Sequence, residues 1–249
     1  GRFSSALVIT EIAVSCGLLI GAGFMIKSVI NVGNVELGFA TENVMRGRVT
    51  LGDTDYPDEA SWDQFFQALK ERLESEPGVV SAALATTVPG VGSQRYYMAV
   101  EGETYPTDSD YLIANATVIT EDLFATLGVE LREGRDFNAL ETTIGGDDVA
   151  IVNESFVDRF LDGGPALGRR VRLGISTSER PWMTIIGVVP DLHVGGGVGG
   201  IGADKISPMH VYLPKGSLGF SSFSFLARTR SDAPDIAGRV RGIISELDP

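Results

Sequence analysis

Residues 62–88 have the sequence WDQFFQALKERLESEPGVVSAALATTV, in which two different periodicities follow one another. The first part repeats apolar side chains at helical spacing with charged residues between them, which predicts an amphipathic helix. Its apolar positions are Trp62, Phe65, Phe66, Leu69 and Leu73. Pro77 and Gly78 end this pattern, and the apolar run at 79–88 predicts a strand. The aromatic residues therefore belong to a protein core.

Both ends of the chain around this stretch supply similar elements. Residues 43–51 predict a strand before the helix, and residues 53–57 predict a turn. Near the C-terminus, residues 223–228 predict a strand that leads into a helix with an apolar stripe. We expect the two helices to pack on one sheet, and their buried residues to include Phe65, Leu69, Ile236, Val240 and Ile244.

The middle of the chain has shorter segments. Strands are predicted at 96–100, 114–119, 149–152, 168–173, 184–189 and 210–213. Thr120 is expected to cap a short helix that Gly128 closes, and Asn153 to cap a helix at 154–161 with Phe156, Val157 and Phe160 inward. We therefore expect the strand, helix and strand at the front to pack together with the strand and helix at the back, with the middle inserted between them.

Residues 6–26, ALVITEIAVSCGLLIGAGFMI, have one charge, Glu11, and are long enough to cross a bilayer as a helix. A membrane span is favoured over a cleaved signal peptide, a buried core helix and an amphipathic surface helix. Gly17 and Gly21 suit close helix packing in lipid, and Glu11 is costly there unless it faces a bundle or an interface. Arg2 weakly favours a cytoplasmic N-terminus, with the remaining chain outside.

Composition excludes several classes of protein. The chain has 249 residues, 43% of them apolar, and a net charge of −13, which argues against a nucleic-acid partner. Cys16 is the only cysteine, so no internal disulfide can form. His193 and His210 are the only histidines, which makes a structural zinc site unfavourable.

A glycine-rich segment at 193–208, HVGGGVGGIGADKISP, contains the spacing GxGxxG at Gly197, Gly199 and Gly202. Such glycines hold a pyrophosphate only between a strand and a helix, and Ser207–Pro208 blocks a following helix. The sequence Gly-Lys-Ser/Thr, which ends the phosphate loop of nucleoside triphosphatases, is also absent from this segment. We therefore expect the glycines at 195–202 to lie in an exposed loop that binds no nucleotide.

No set of catalytic residues is recognisable. GxSxG is absent, and no serine is tied by a motif to either histidine. The acidic cluster Asp53, Asp55, Asp58 and Glu59 lacks the glycine of a calcium-binding EF-hand loop and has Pro57 at a ligand position. We expect no enzymatic activity, no catalytic or metal-binding residues and no cofactor.

A series of short motifs, in order along the chain, resembles one known family. These are LLIGAGFMIKS at 18–28, GF at 38–39, PGVVSAA at 77–83, LGV at 127–129, EGRDF at 133–137, VAIVNE at 149–154, LG at 167–168, IGVV at 186–189, VYLP at 211–214 and LDP at 247–249. They are similar to the membrane-to-exterior passage and periplasmic core domain of MacB/FtsX-type ABC transporter permeases. The large duplicated permeases of unassigned substrate are the most similar group.

The resemblance implies an α+β fold in which an N-terminal transmembrane helix precedes a periplasmic core of two subdomains. The transmembrane helix would occupy residues 1–32. A porter-like βαβ unit would consist of residues 40–91 and 216–249, and an inserted mixed α/β subdomain of residues 92–215.

The resemblance also implies a function without catalysis. The domain would relay the movement of a cytoplasmic ABC ATPase subunit, in export or mechanotransmission, from the bacterial inner membrane. Residues from about 33 onward would lie on the periplasmic or extracellular side. Further partners would be the other permease half or a second permease copy, and a periplasmic protein, but no nucleic acid. The alternative is a single-span, membrane-anchored ligand-binding or sensor ectodomain.

Overall fold

The computed structural model describes residues 14–25, 27, 42–88, 94–146, 148–192, 209–231 and 236–247. The chain divides into two compact units, Gly1–Glu36 and Leu37–Pro249. In the first unit, residues 14–25 are helical and exposed, whereas the beginning of the expected span at 6–26 lies outside the described residues. No helix in the described ranges combines the length and apolar character that crossing a bilayer requires.

The second unit contains strands and helices in the following order. The strands are β1 (Val44–Thr50), β2 (Val79–Ala85), β3 (Gln94–Val100), β4 (Leu112–Ile119), β5 (Glu133–Gly134), β6 (Val149–Asn153), β7 (Arg170–Leu173), β8 (Met183–Val189), β9 (His210–Pro214) and β10 (Ser222–Thr229). The α-helices are α1 (Glu59–Ser75), α2 (Leu123–Leu127), α3 (Glu154–Phe160) and α4 (Ile236–Leu247). Short 3-10 turns occupy Asp108–Asp110 and Lys215–Ser217.

The ten described strands form one mixed sheet in the order β1-β10-β2-β4-β3-β7-β8-β6-β9, with β5 beside β8. Because β9 also pairs in parallel with β4, strands β4, β3, β7, β8, β6 and β9 close into a ring. Only β4–β9 and β6–β8 pair in parallel among the described strands. The ring comes entirely from the middle of the chain.

The chain ends meet as the sequence predicts. Strand β10 lies between β1 and β2 and is antiparallel to both. Helices α1 and α4 pack on this part of the sheet, with Phe65, Leu69 and Val240 buried. The predicted burial of Ile236 and Ile244 is wrong, because both are only partly buried at the margin of the core. Ile243 is the more deeply buried isoleucine of α4.

Alternating strand residues supply two cores, one on each face of the sheet. Ala82 and Leu84 of β2 belong to the larger core, which α1, α3 and α4 cover. Ala83 and Ala85 of the same strand belong to the smaller core, which α2 covers. This alternation is the side-chain period of a strand buried on both faces.

The residues that cap the helices agree with the sequence-based predictions at some helices and differ from them at others. The side chain of Asn153 accepts from the Phe156 amide and caps α3 as predicted, and Gly128 closes α2 with a φ of 70°. The prediction that Thr120 caps α2 is wrong, because its hydroxyl accepts from the Leu84 amide and Asp122 stands at the cap position. Asp58 caps α1 in a reciprocal capping box with Ser61.

Candidate functional site

The first connection between the chain ends and the ring lies on β4, where one edge of the strand changes its partner from β3 to β2. We call this point the fork of β4. Along one edge, β4 pairs with β3 up to the Ala116–Gln94 pair and then with β2 at Ile119–Ala85. The Val118 carbonyl accepts from the Thr86 amide at 2.9 Å, and the Val118 amide donates to the Thr86 hydroxyl at 3.1 Å. A threonine side chain therefore replaces a backbone partner at the point where β2 and β3 separate.

A cluster around Lys70 provides a second connection between the chain ends and the middle. The Lys70 ammonium, on α1, lies 2.5 Å from the Glu74 carboxylate and 2.9 Å from that of Glu121, which precedes α2. Its side chain is 11% exposed and that of Glu121 is 17% exposed. The Thr142 hydroxyl donates to Glu121 at 2.6 Å and extends the cluster to a further segment.

The electrostatics of this cluster favour the ionised forms. Burial opposes the charge of Lys70, but the hydrogen bonds and charges of Glu74 and Glu121 outweigh burial and raise the pKa of Lys70. Burial also opposes the charge of Glu121, yet the bonds from Thr142 and Lys70 lower the pKa of Glu121 below its usual value. Each partner thus stabilises the charge of the other in a poorly solvated place.

A third connection joins α1 to the segment after β9. Lys215 forms a close ion pair with Asp63 of α1, and their side chains are 8% and 20% exposed. The next residue, Gly216, packs against the Thr143 carbonyl so closely that a Cβ atom there would lie 1.8 Å from its oxygen. We call the ion pairs Lys70–Glu121 and Lys215–Asp63 the two latches.

An open cleft of about 170 Å³ lies in the fork of β4. Ala116 and Val118 of β4 line it, together with Thr86, which follows β2. Arg48 and Ser222 line it from the neighbouring strands β1 and β10. The remaining lining residues are Thr87, Gln94, Tyr96, Leu218 and Phe220.

One histidine lies in a buried polar cluster. His210 Nε2 lies 2.8 Å from the Thr117 hydroxyl, and the His210 amide donates to Asn153 Oδ1. Asp191 accepts from the side chains of Asn153 and Ser155, both at 2.5 Å. Burial lowers the pKa of His210 to about 3, so the ring is neutral.

This cluster brings together a serine, a histidine and an aspartate, which the sequence does not connect. His210 Nε2 is hydrogen-bonded to the Thr117 hydroxyl, whereas the Ser155 hydroxyl donates to Asp191. A nucleophilic site needs a base that reaches the nucleophile. The bond from the His210 amide to Asn153 instead holds the first residue of β9 against the residue that caps α3.

The structure locates some of the other residues that the sequence analysis considered as possible metal-binding or nucleotide-binding groups. Asp58 is a helix cap, and no group of three or more possible metal ligands occurs in the described ranges. Cys16 is exposed, on the N-terminal helical segment. His193 and the GxGxxG glycines lie outside the described residues, so the loop at 195–202 stays a prediction.

The family model for the MacB-like periplasmic core domain matches residues 5–243. This chain belongs to that family. It therefore carries the periplasmic domain of a MacB-like ABC transporter permease, as the order of the sequence motifs predicts. Comparison with curated proteins gave no match.

Solved structures with the same fold include the periplasmic region of MacB from Actinobacillus actinomycetemcomitans. It is 17% identical to this MacB-like chain, with a TM-score of 0.52 over 84% of each chain. The extracellular domain of the noncanonic ABC-type transporter YknZ from Gram-positive bacteria is 13% identical, with a TM-score of 0.49 over 82% of this chain and 94% of that one. The family match and the MacB periplasmic region show that this chain has the mixed α/β fold of the MacB-like periplasmic core domain.

Proposed function

We propose that this domain relays ATP-driven movement across a bacterial inner membrane, in export or mechanotransmission, and catalyses no reaction itself. The observation that carries the proposal is the family match over residues 5–243. An ABC transporter permease works with a cytoplasmic ATPase, which supplies the energy. The domain would transmit the resulting movement to the exterior side.

The proposal includes the membrane arrangement that the sequence predicts. Residues 1–32 would form a transmembrane helix, and residues from about 33 onward would lie on the periplasmic or extracellular side. Besides the ATPase, the partners would be the other permease half or a second permease copy, and a periplasmic protein. The porter-like unit would consist of 40–91 and 216–249, with 92–215 as the inserted subdomain.

The two latches support the mechanical part of this proposal. A relay transmits displacement only if its parts do not slide past each other under load. Both latches join α1 to segments of the middle of the chain, and both are largely shielded from water. Breaking one member of such a pair leaves a poorly solvated charge, so the pairs resist separation. Helix α1 and the ring would therefore move together.

The experiment removes both latches and compares the result with removal of two exposed ion pairs. The double variant Lys70→Met, Lys215→Met is made in the permease and reconstituted with its ATPase in lipid vesicles. The control is Arg72→Met, Arg132→Met, which loses the same charge from pairs whose side chains are about half exposed. Circular dichroism and limited proteolysis test whether both variants are folded, and coupling is compared only between folded variants.

We expect the unlatched variant to lose most transport, and most stimulation of ATP hydrolysis by the permease, at unchanged basal ATPase activity. The control should keep both. Full coupling in a folded, unlatched variant would show that the domain transmits no force through α1.

A further inference from the structure

The cleft in the fork of β4 combines an apolar surface with polar groups, as small-molecule sites do. Its apolar lining residues are the partly buried Leu218 and Phe220 and the buried Ala116 and Val118 of β4. Its volume of about 170 Å³ is similar to the roughly 150 Å³ of an engineered cavity that binds benzene. The cleft therefore has room for a compact apolar body of one or two rings.

The polar groups of the cleft favour a negative charge. Among the described residues that line the cleft, Arg48 is the only charged one, in a chain with a net charge of −13. The Arg48 Nε donates to the Ser222 hydroxyl at 3.0 Å, which fixes the plane of the guanidinium. A guanidinium held in this way presents its remaining N–H groups to a carboxylate, sulfonate or phosphate.

The cleft also has neutral hydrogen-bonding groups. The Tyr96 hydroxyl donates to Gln94 Oε1 at 2.6 Å, and the Gln94 side chain also has N–H donors. Thr86 accepts from the Val118 amide, and its hydroxyl proton can serve another acceptor. The Thr86 hydroxyl and the Gln94 side-chain amide are thus donors from which an anion could accept.

We propose that this cleft binds a small amphipathic anion, whose acidic head pairs with Arg48 and whose apolar body packs against Phe220 and Leu218. Such a ligand would contact β1 and β10 on one side of the fork and β3 on the other. It would thus bridge the chain ends and the ring where few backbone bonds join them. The inference does not depend on the proposed relay, because binding needs no ATPase.

The test uses a matched pair of probes, 2-naphthalenesulfonate and the neutral 2-naphthalenesulfonamide, titrated into the full chain by calorimetry. The same non-ionic detergent is used throughout, so partition of a probe into micelles cancels between variants. Arg48→Gln removes the charge from the cleft. Arg46→Gln is the matched control, because Arg46 is exposed on the same strand, two residues away, and does not line the cleft.

Arg48→Gln should weaken binding of the sulfonate about tenfold, since a charged hydrogen-bonded pair is lost, and should leave the sulfonamide unchanged. Arg46→Gln should change neither. Phe220→Ala should weaken both probes. The inference is overturned if the sulfonate does not bind saturably, if Arg48→Gln changes both probes equally, or if the two arginine variants behave alike.

Discussion

Lys70 allows a direct test of how much a shielded ion pair contributes to the stability of the domain. Lys70→Met should lower the free energy of unfolding by about 3 to 5 kcal/mol, because Glu121 keeps its charge in a poorly solvated place. Arg72→Met, on the same helix, should cost at most about 1 kcal/mol, since Arg72 and Glu246 form an exposed pair. Urea unfolding of the full chain measures both. Equal losses would show that the Lys70 pair contributes no more than a surface pair.

A second prediction concerns Asp136 and the pH dependence of the free energy of unfolding. Burial, reinforced by the charges of Asp122 and Glu121, raises its pKa from 3.8 to about 6. The folded state therefore binds more protons than the unfolded state between about pH 4 and 6, so this carboxyl lowers stability as pH rises through that window.

Asp136→Asn should remove this cost. We compare the unfolding free energy of the variant with that of the unchanged chain at each pH. The variant's advantage should be up to about 3 kcal/mol larger at pH 7 than at pH 4, because the pKa of Asp136 is raised by about two units. Urea titrations at both pH values give the difference. A gain that is the same at both pH values would mean that Asp136 titrates normally in the folded chain.

Among the elements, α1 and α4 test where the main core lies. Leu69→Ala on α1 should cost about 2 to 5 kcal/mol, because the side chain is 1% exposed and its removal leaves a cavity. Ile244→Ala on α4 should cost less than half as much, since Ile244 is only partly buried. Thermal and urea unfolding can rank them. The reverse order would place the core nearer to α4.

The elements that sequence predicts well are those with local signals. Helix α1 has a repeating apolar stripe and a clear end at Pro77 and Gly78, and Asn153 is a strong cap before α3. Thr120 has the same local signal as a cap, but its hydroxyl bonds the Leu84 amide of β2 instead. A partner 36 residues away overrides the local preference there, and no pattern in the sequence indicates that distant partner.

At the scale of the molecule, the sequence predicts that the ends of the chain meet around an inserted middle. It does not predict the ring, because β9 must pair with both β4 and β6 to close it. The latches and the cleft are also missed. Lys70 and Glu121 each look like a charge on a solvated surface, and only the tertiary packing brings them together.

The membrane span expected from the sequence and the domain must move as a unit if the domain is a relay. The segment at 28–41, between the expected span and β1, is short, and it lies outside the described residues. A flexible insert there would lengthen the connection without touching the core. Ten glycine and serine residues after Gly33 would add a reach of about 17 Å.

The most direct test of the relay is the ATPase activity and transport of the reconstituted complex with and without this insert. A complex with a disabled ATPase gives the background. We expect the insert to leave folding and membrane insertion intact while transport and the stimulation of ATP hydrolysis both fall. Unchanged transport and stimulation would contradict the relay and favour an anchored ligand-binding ectodomain.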